Sequence, residues 1–209
     1  MVWKKLCKIG IMCGIFMSMC VASAVAMEVT NTKVVLGVKP KMSEGNTNAV
    51  VKDLDGKKLR FQVIDVDTNV PLQRWWIKFT SKDKKEDYFS FPIGYRSGVT
   101  EITTKNPDKK FWIIESVVGE SSWNCIGFWI IGKYGDSYVN YVSLDSLIQA
   151  GLGPNNLVFH VNNDGTIKVI QQHRNYGDEI RKNGGRMFNT IKTVTLFWDD
   201  QAQWWGIRS

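Results

Sequence analysis

The chain has 209 residues, with 27 Lys and Arg against 20 Asp and Glu, two His and four Cys. Three of the cations (Lys4, Lys5, Lys8) and three of the cysteines (Cys7, Cys13, Cys20) fall in the first 26 positions, so the rest holds 24 cations against 20 anions, a net charge of +4, and one thiol, Cys125. That balance excludes an internal disulfide framework, falls short of a nucleic-acid footprint, and leaves too few His and Cys for a zinc site without carboxylate help.

The chain starts with the logic of an export signal. Lys4, Lys5 and Lys8 precede an uncharged run at 9–27, and Ala24-Val25-Ala26 forms a small-x-small site. A positive start, an apolar middle and a small-residue end predict a secretory signal over 1–26, cleaved near Ala26. The mature protein is then secreted or periplasmic, with no membrane insertion after cleavage. The competing reading keeps the segment as an anchor, since about 20 apolar residues can just span a bilayer. Taking 26 from 209 leaves 183 residues, enough for one domain over 27–209 with its own core.

Short β-type runs follow in order, separated by turn signals. Strands are predicted at 33–38, and at 49–52 and 58–66 around Asp55-Gly56. Further strands are expected at 75–80 and 87–91 around a charged tip, then at 99–104, 111–118, 123–132, and 137–141 after Gly135-Asp136. A short helix fits 144–150, with Ser143 as cap and Gly151 as stop. Strands at 157–161 and 166–170 flank Asn163-Asp164-Gly165, one helical turn fits 178–182, and strands at 186–198 and 203–207 flank Asp199-Asp200. Strands joined by tight turns run antiparallel. The expected class is therefore all-β, a meander-rich sandwich or barrel with one or two short helices.

Residues 111–131 read FWIIESVVGESSWNCIGFWII, so the quartet Phe-Trp-Ile-Ile opens and closes the stretch. A symmetric turn at 119–122 would set Trp112 opposite Trp129 and Cys125 opposite Ser116, as a cross-strand ladder. Alternation of side chains then puts Trp112, Ile114, Trp129 and Ile131 on one face and Phe111, Ile113, Phe128 and Ile130 on the other. Strands apolar on both faces are usually covered on both faces. The expectation is a two-sided core, with one face as a ligand platform as the alternative. The same pattern disfavours an outer-membrane barrel, which needs a polar lumen.

The doublets Trp75-Trp76 and Trp204-Trp205 each send neighbouring rings to opposite faces, so at most one ring of each needs to be core. With Tyr138, Tyr141 and Tyr176, they supply aromatic surface of the kind that stacks on sugar rings or anchors protein partners. Trp75, Trp76, Trp204, Trp205, Tyr138 and Tyr141 are therefore the candidate ligand-binding residues, and the expected partner is an envelope or extracellular glycan or protein. A structural or adhesive envelope component with no small ligand is a third reading.

Cys125, His160 and His173 are the only available nucleophile and bases. Asn124-Cys125-Ile126-Gly127-Phe128 resembles the Asp-Cys-Ser-Gly-Phe nucleophile motif of papain-like cell-wall peptidases, which implies a thiol hydrolase of peptidoglycan with His160 or His173 as base. Asn124 and Ile126 depart from that motif, and the surrounding pattern is strand rather than helix. Glu115, set between Ile113 and Val117 on one face, is expected at an exposed strand end or beside a lysine; the alternative is a desolvated carboxylate with a raised pKa. Asp65-Val66-Asp67-Thr68-Asn69 starts like a calcium loop, but Val70 replaces the required glycine and Trp76 the closing glutamate, so no metal is expected. No nucleotide-binding or nucleophile-elbow motif is present, and no cofactor is implied. Taken together, the residues favour a non-enzymatic binding module.

Overall fold

The computed structural model describes residues 27–38, 45–66, 69, 74–83, 85–94, 96–106, 108–118 and 124–209, with backbone alone at 118 and 124–126. The 1–26 segment, Trp123, and Asp67, Thr68 and Val70 of the calcium-like loop lie outside the described residues.

Fourteen strands build three antiparallel sheets among the described residues. In chain order they are β1 (Val29–Val38), β2 (Gly45–Asn46), β3 (Asn48–Lys52), β4 (Lys58–Asp65), β5 (Trp75–Ser81), β6 (Asp87–Ile93), β7 (Arg96–Thr104), β8 (Lys110–Val118), β9 (Asn124–Tyr134) and β10 (Ser137–Ser143). After the helix α1 (Leu144–Gln149) come β11 (Leu157–Val161), β12 (Ile167–Arg174), the helix α2 (Asp178–Lys182), β13 (Phe188–Asp199) and β14 (Trp204–Arg208). The chain is all-β, as its turn chemistry demands. Only β2, two residues long, lacked a signal in the sequence.

The local signals act as expected. Gly135 takes φ +57 in the two-residue turn between Tyr134 and Ser137. Ser143 caps α1 by accepting from the Ser146 amide, and Gly151 stops the helix at φ +87. The Asp55-Gly56 turn is longer than a two-residue hairpin. Lys52 pairs with Lys58, and the Asp53 carboxylate holds the five-residue loop by accepting from the amides of Asp55 (3.0 Å) and Lys57 (2.7 Å).

The central sheet runs β10-β9-β8-β7-β1-β2. One of its faces shares a core with the sheet β11-β12-β13-β14, where Ile102, Phe111, Ile113, Phe128 and Ile130 meet Ile167, Val194, Leu196 and Trp198. Its other face shares a core with β3-β4-β5-β6, where Trp112, Ile114 and Ile131 meet Phe61, Ile77, Phe79 and Phe91. The result is three stacked layers, and the repeated quartet lies in the middle one.

The register differs from the symmetric pairing. Trp112 faces Ile131 and Ile114 faces Trp129, while Ser116 faces Gly127 and Val117 faces Cys125. A five-residue connection at 119–123 displaces the pairing by one residue, and a bulge after Ser116 displaces it by one more. The two displacements add to an even number, so from Gly127 onward the side chains keep their faces even though their partners change, whereas Cys125, before the bulge, pairs with Val117 of the other face. The bulge leads to Gly127, where a Cβ would collide with the Trp129 ring. Trp129 thus folds back over its own strand and reaches Phe91 of the covering sheet, with ring centres 4.8 Å apart.

Trp112 is 1% exposed, with its ring centre 6.0 Å from Phe61 and 5.9 Å from Phe79. Truncation to Ala leaves a cavity between two sheets. Trp112→Ala should therefore cost about 3–5 kcal/mol, read as a lower denaturant midpoint with an unchanged slope.

Candidate functional site

Hairpins of the outer and central sheets turn at a shared end of the molecule. The β3–β4 loop brings Asp55, the β7–β8 loop Asp108 and Lys109, the β9–β10 turn Lys133 and Tyr134, and the β13–β14 loop Gln203. Between them lies a cleft of about 550 Å³. A smaller hollow of about 200 Å³, with Glu28, Lys105 and Trp198 in its wall, adjoins it and shares Lys109.

Aromatic rings wall the cleft. Tyr134 is 51% exposed and Trp204 is 40% exposed, and their ring centres lie 6.3 Å apart at an interplanar angle of 72°. Tyr141 sits beneath, with its ring centre 4.7 Å from Trp204. Its hydroxyl donates to the Lys133 carbonyl at 2.8 Å. Burial pushes the Tyr141 phenol up to about 12.

Polar groups are held in place around these rings. Lys133 bonds and ion-pairs with Asp55, which holds its ammonium above the usual lysine range. Lys109 donates to the Gln203 side-chain carbonyl, and its ammonium lies 4.6 Å from the Trp198 ring centre. Gln203 takes φ +51, a left-handed conformation that costs a non-glycine residue energy and collects at functional sites. Its side-chain amide donates to the Asp200 carbonyl at 2.6 Å, and the Trp198 indole N–H donates to the Asp200 carboxylate at 3.0 Å.

The six aromatic candidates are not brought into one patch. Tyr141 lines the cleft, and Trp204 packs edge-on against it just outside the lining. Trp205 is buried in the core behind it, and its indole N–H has no hydrogen-bond partner. Tyr138 lies on the other core and donates to Asp53 at 2.5 Å, so it ties the β9–β10 hairpin to the loop that carries Asp55. Trp75 and Trp76 pair with Asp65 and Ile64 at the far end of β4. Seven residues from Lys58 to Asp65 put them roughly 23 Å from the cleft end of that strand. Trp75 is half-buried under the Arg74 guanidinium, at 5.3 Å from its ring. Tyr176 is exposed beside Arg174, whose guanidinium lies 5.2 Å from its ring.

The two candidate bases of the thiol set lie apart from each other. His160 pairs with Lys168, and His173 lies five residues further along β12, roughly 16 Å away. Both histidines are exposed, and His173 sits 3.6 Å from Glu179. Cys125 is placed by its backbone opposite Val117, and its side chain lies outside the description. Among the described residues, no three His, Cys, Asp or Glu gather as a metal site, and no helix is long and apolar enough to cross a membrane. The residues described in the cleft wall include no Ser, Cys or His. Rings beside fixed anions, cations and an amide can stack on and hydrogen-bond to a polyhydroxylated ring.

Sequence reasoning passed over Tyr134, Asp55, Asp108, Lys109, Lys133 and Gln203, because each reads as turn dressing. The available signal was topological, in that the flanking turns fall at the same end of their hairpins. Set against known proteins, the chain matches no family model, no curated protein and no solved structure.

Two pH dependences follow from the buried groups. The folded state holds the Tyr141 proton more tightly than the unfolded chain does. That stability is complete below the ordinary phenol value of 10.0 and is lost as pH rises toward about 12. Stability of the parent should fall across this window, and Tyr141→Phe should flatten the fall in alkaline denaturation curves. Glu115, half-buried between Gly98 and Phe128, is raised above 4.5 by burial. Here stability is full below the ordinary value and lost above it, so at pH 7 the charged carboxylate opposes folding. Glu115→Gln should melt higher than the parent at pH 7, with the gap closing below about pH 4.5.

Proposed function

We propose that this chain is an exported, non-enzymatic binding module whose aromatic-walled cleft takes a glycan of the envelope or the extracellular medium. The observation that carries the reading is the exposed Tyr134 ring in a cleft with Asp55, Lys133, Lys109 and Gln203, flanked by the exposed Trp204 ring 6.3 Å away. Sugar rings offer apolar C–H faces to aromatic rings and hydroxyls to charged side chains, and the cleft supplies both kinds of contact. A positive start, an apolar middle and Ala24-Val25-Ala26 support export.

Titration of intrinsic tryptophan fluorescence with peptidoglycan fragments, chitooligosaccharides and neutral β-glucans tests the reading. At least one class should give a saturable shift. Trp204→Ala should weaken that binding at least about tenfold while changing stability by no more than about 1 kcal/mol. No shift with any glycan, or a shift that survives Trp204→Ala, would remove the proposal.

A further inference from the structure

A second groove lies away from the aromatic cleft, where the central sheet meets β3. It encloses about 580 Å³ between β1 and β3. Among the described residues β3 pairs only with β4, so its outer edge faces this groove.

The hydrogen bonding shows which backbone groups face outward. Asp53 N–H donates to the Lys57 carbonyl, and Val63 N–H to the Thr47 carbonyl, so residues 47 and 53 point toward β4. Alternation then turns the amides and carbonyls of Asn48, Val50 and Lys52 toward the groove. Two of these groups are already capped. Asn46 accepts from the Asn48 amide at 3.2 Å, and Lys110 donates to the Lys52 carbonyl at 2.8 Å. Asn46 also donates to the Val35 carbonyl of β1, at 3.2 Å. Among the described residues, the Val50 amide and carbonyl, in the middle of the edge, have no such cap.

The charged part of the lining is mainly cationic. Lys33, Lys52 and Lys110 face the groove with one carboxylate, Glu101, which is itself engaged by the Trp112 indole at 3.1 Å and by Lys110 at 3.4 Å. Val34, 68% exposed, and Val50, 49% exposed, add apolar surface. Lysines on a sheet edge repel a second copy of the same edge. They equally disfavour the 1–26 segment, whose only charged side chains are lysines. An acidic strand is the occupant these charges admit.

We propose that the outer edge of β3 is a strand-addition site for an extended acidic segment of a partner protein. The partner's backbone pairs with Val50, its alternate carboxylates lie on the exposed face that carries Val50 and Lys52, and its intervening apolar side chains turn to the face of Ala49 and Val51. β3 is five residues long, so the footprint is about five residues of partner.

Fluorescence anisotropy with a labelled heptapeptide of alternating Glu and Val tests this on the purified protein. The expected result is saturable binding that weakens at least tenfold with alternating Lys and Val, and at least tenfold when the backbone amides along one peptide edge are N-methylated. Val50→Pro removes the outward amide without touching the ladder to β4 and should abolish binding. Lys52→Glu should weaken it at least tenfold, which guards against a folding defect in the proline variant. Trp204→Ala should leave it unchanged, which separates this site from the glycan cleft. The proposal is overturned by no binding of the acidic peptide, by equal binding of its N-methylated form or of a polyacrylate oligomer, or by self-association of the chain through β3 in place of peptide binding.

Discussion

Coverage of the central sheet on both faces is the constraint on which the rest depends. β8 and β9 have no solvent side at the quartet end, so every residue there has to satisfy one of two cores. Phe111 and Trp112 are neighbours in sequence but belong to different cores. The cost of this plan is any polar atom carried inside. The Trp112 indole N–H needs an acceptor between two sheets, and Glu101 supplies it. Glu101 in turn needs a cation, and Lys110 supplies one while bonding to the Lys52 carbonyl. A single buried donor thereby sets the polar seam along which the β3 sheet meets the central sheet, and that seam is the floor of the edge groove.

The same logic operates at the cleft end. Loops carry function best when a rigid scaffold fixes them. Here three of the four contributing loops are tied to a core aromatic by a hydrogen bond: Tyr138 holds Asp53, Trp198 holds Asp200, and Tyr141 holds the Lys133 carbonyl. The rings lie in apolar cores, and their single polar atoms reach out to the turns. Aromatic residues are thus both filler and anchor, which explains why the cleft combines exposed rings with charges held in fixed positions. Gln203 stays in its left-handed conformation because both ends of its side-chain amide are used, one by Lys109 and the other by the Asp200 carbonyl.

Cleft and groove present two kinds of surface. At the loop end it consists of side chains, and the proposed ligand offers ring faces and hydroxyls. On the edge of β3 it consists of backbone amides and carbonyls, and the proposed ligand is another strand. Lysines along that edge limit which strands can approach, so a protein that leaves an edge open does not have to polymerise through it.

The sequence by itself determined the elements, their antiparallel pairing and the face on which each core residue lies. Periodicity and turn chemistry act over a few residues: Gly135, Ser143 and Gly151 worked locally, and alternation kept Trp112 and Phe111 apart whatever their partners. It did not determine the partners. Trp112 meets Ile131 because a five-residue connection and a bulge each add one residue, and nothing in the repeated quartet encodes either. Nor could it separate the aromatic candidates: Trp75 and Trp204 look alike in one dimension, yet β5 and β14 lie in different outer sheets. Asp55, Lys109, Tyr134 and Gln203 became a site only when separate turns met at one end. Local backbone preference is written into neighbouring residues, whereas proximity between distant turns comes from stacking three sheets around a shared layer, and that is decided by the packing of the whole chain.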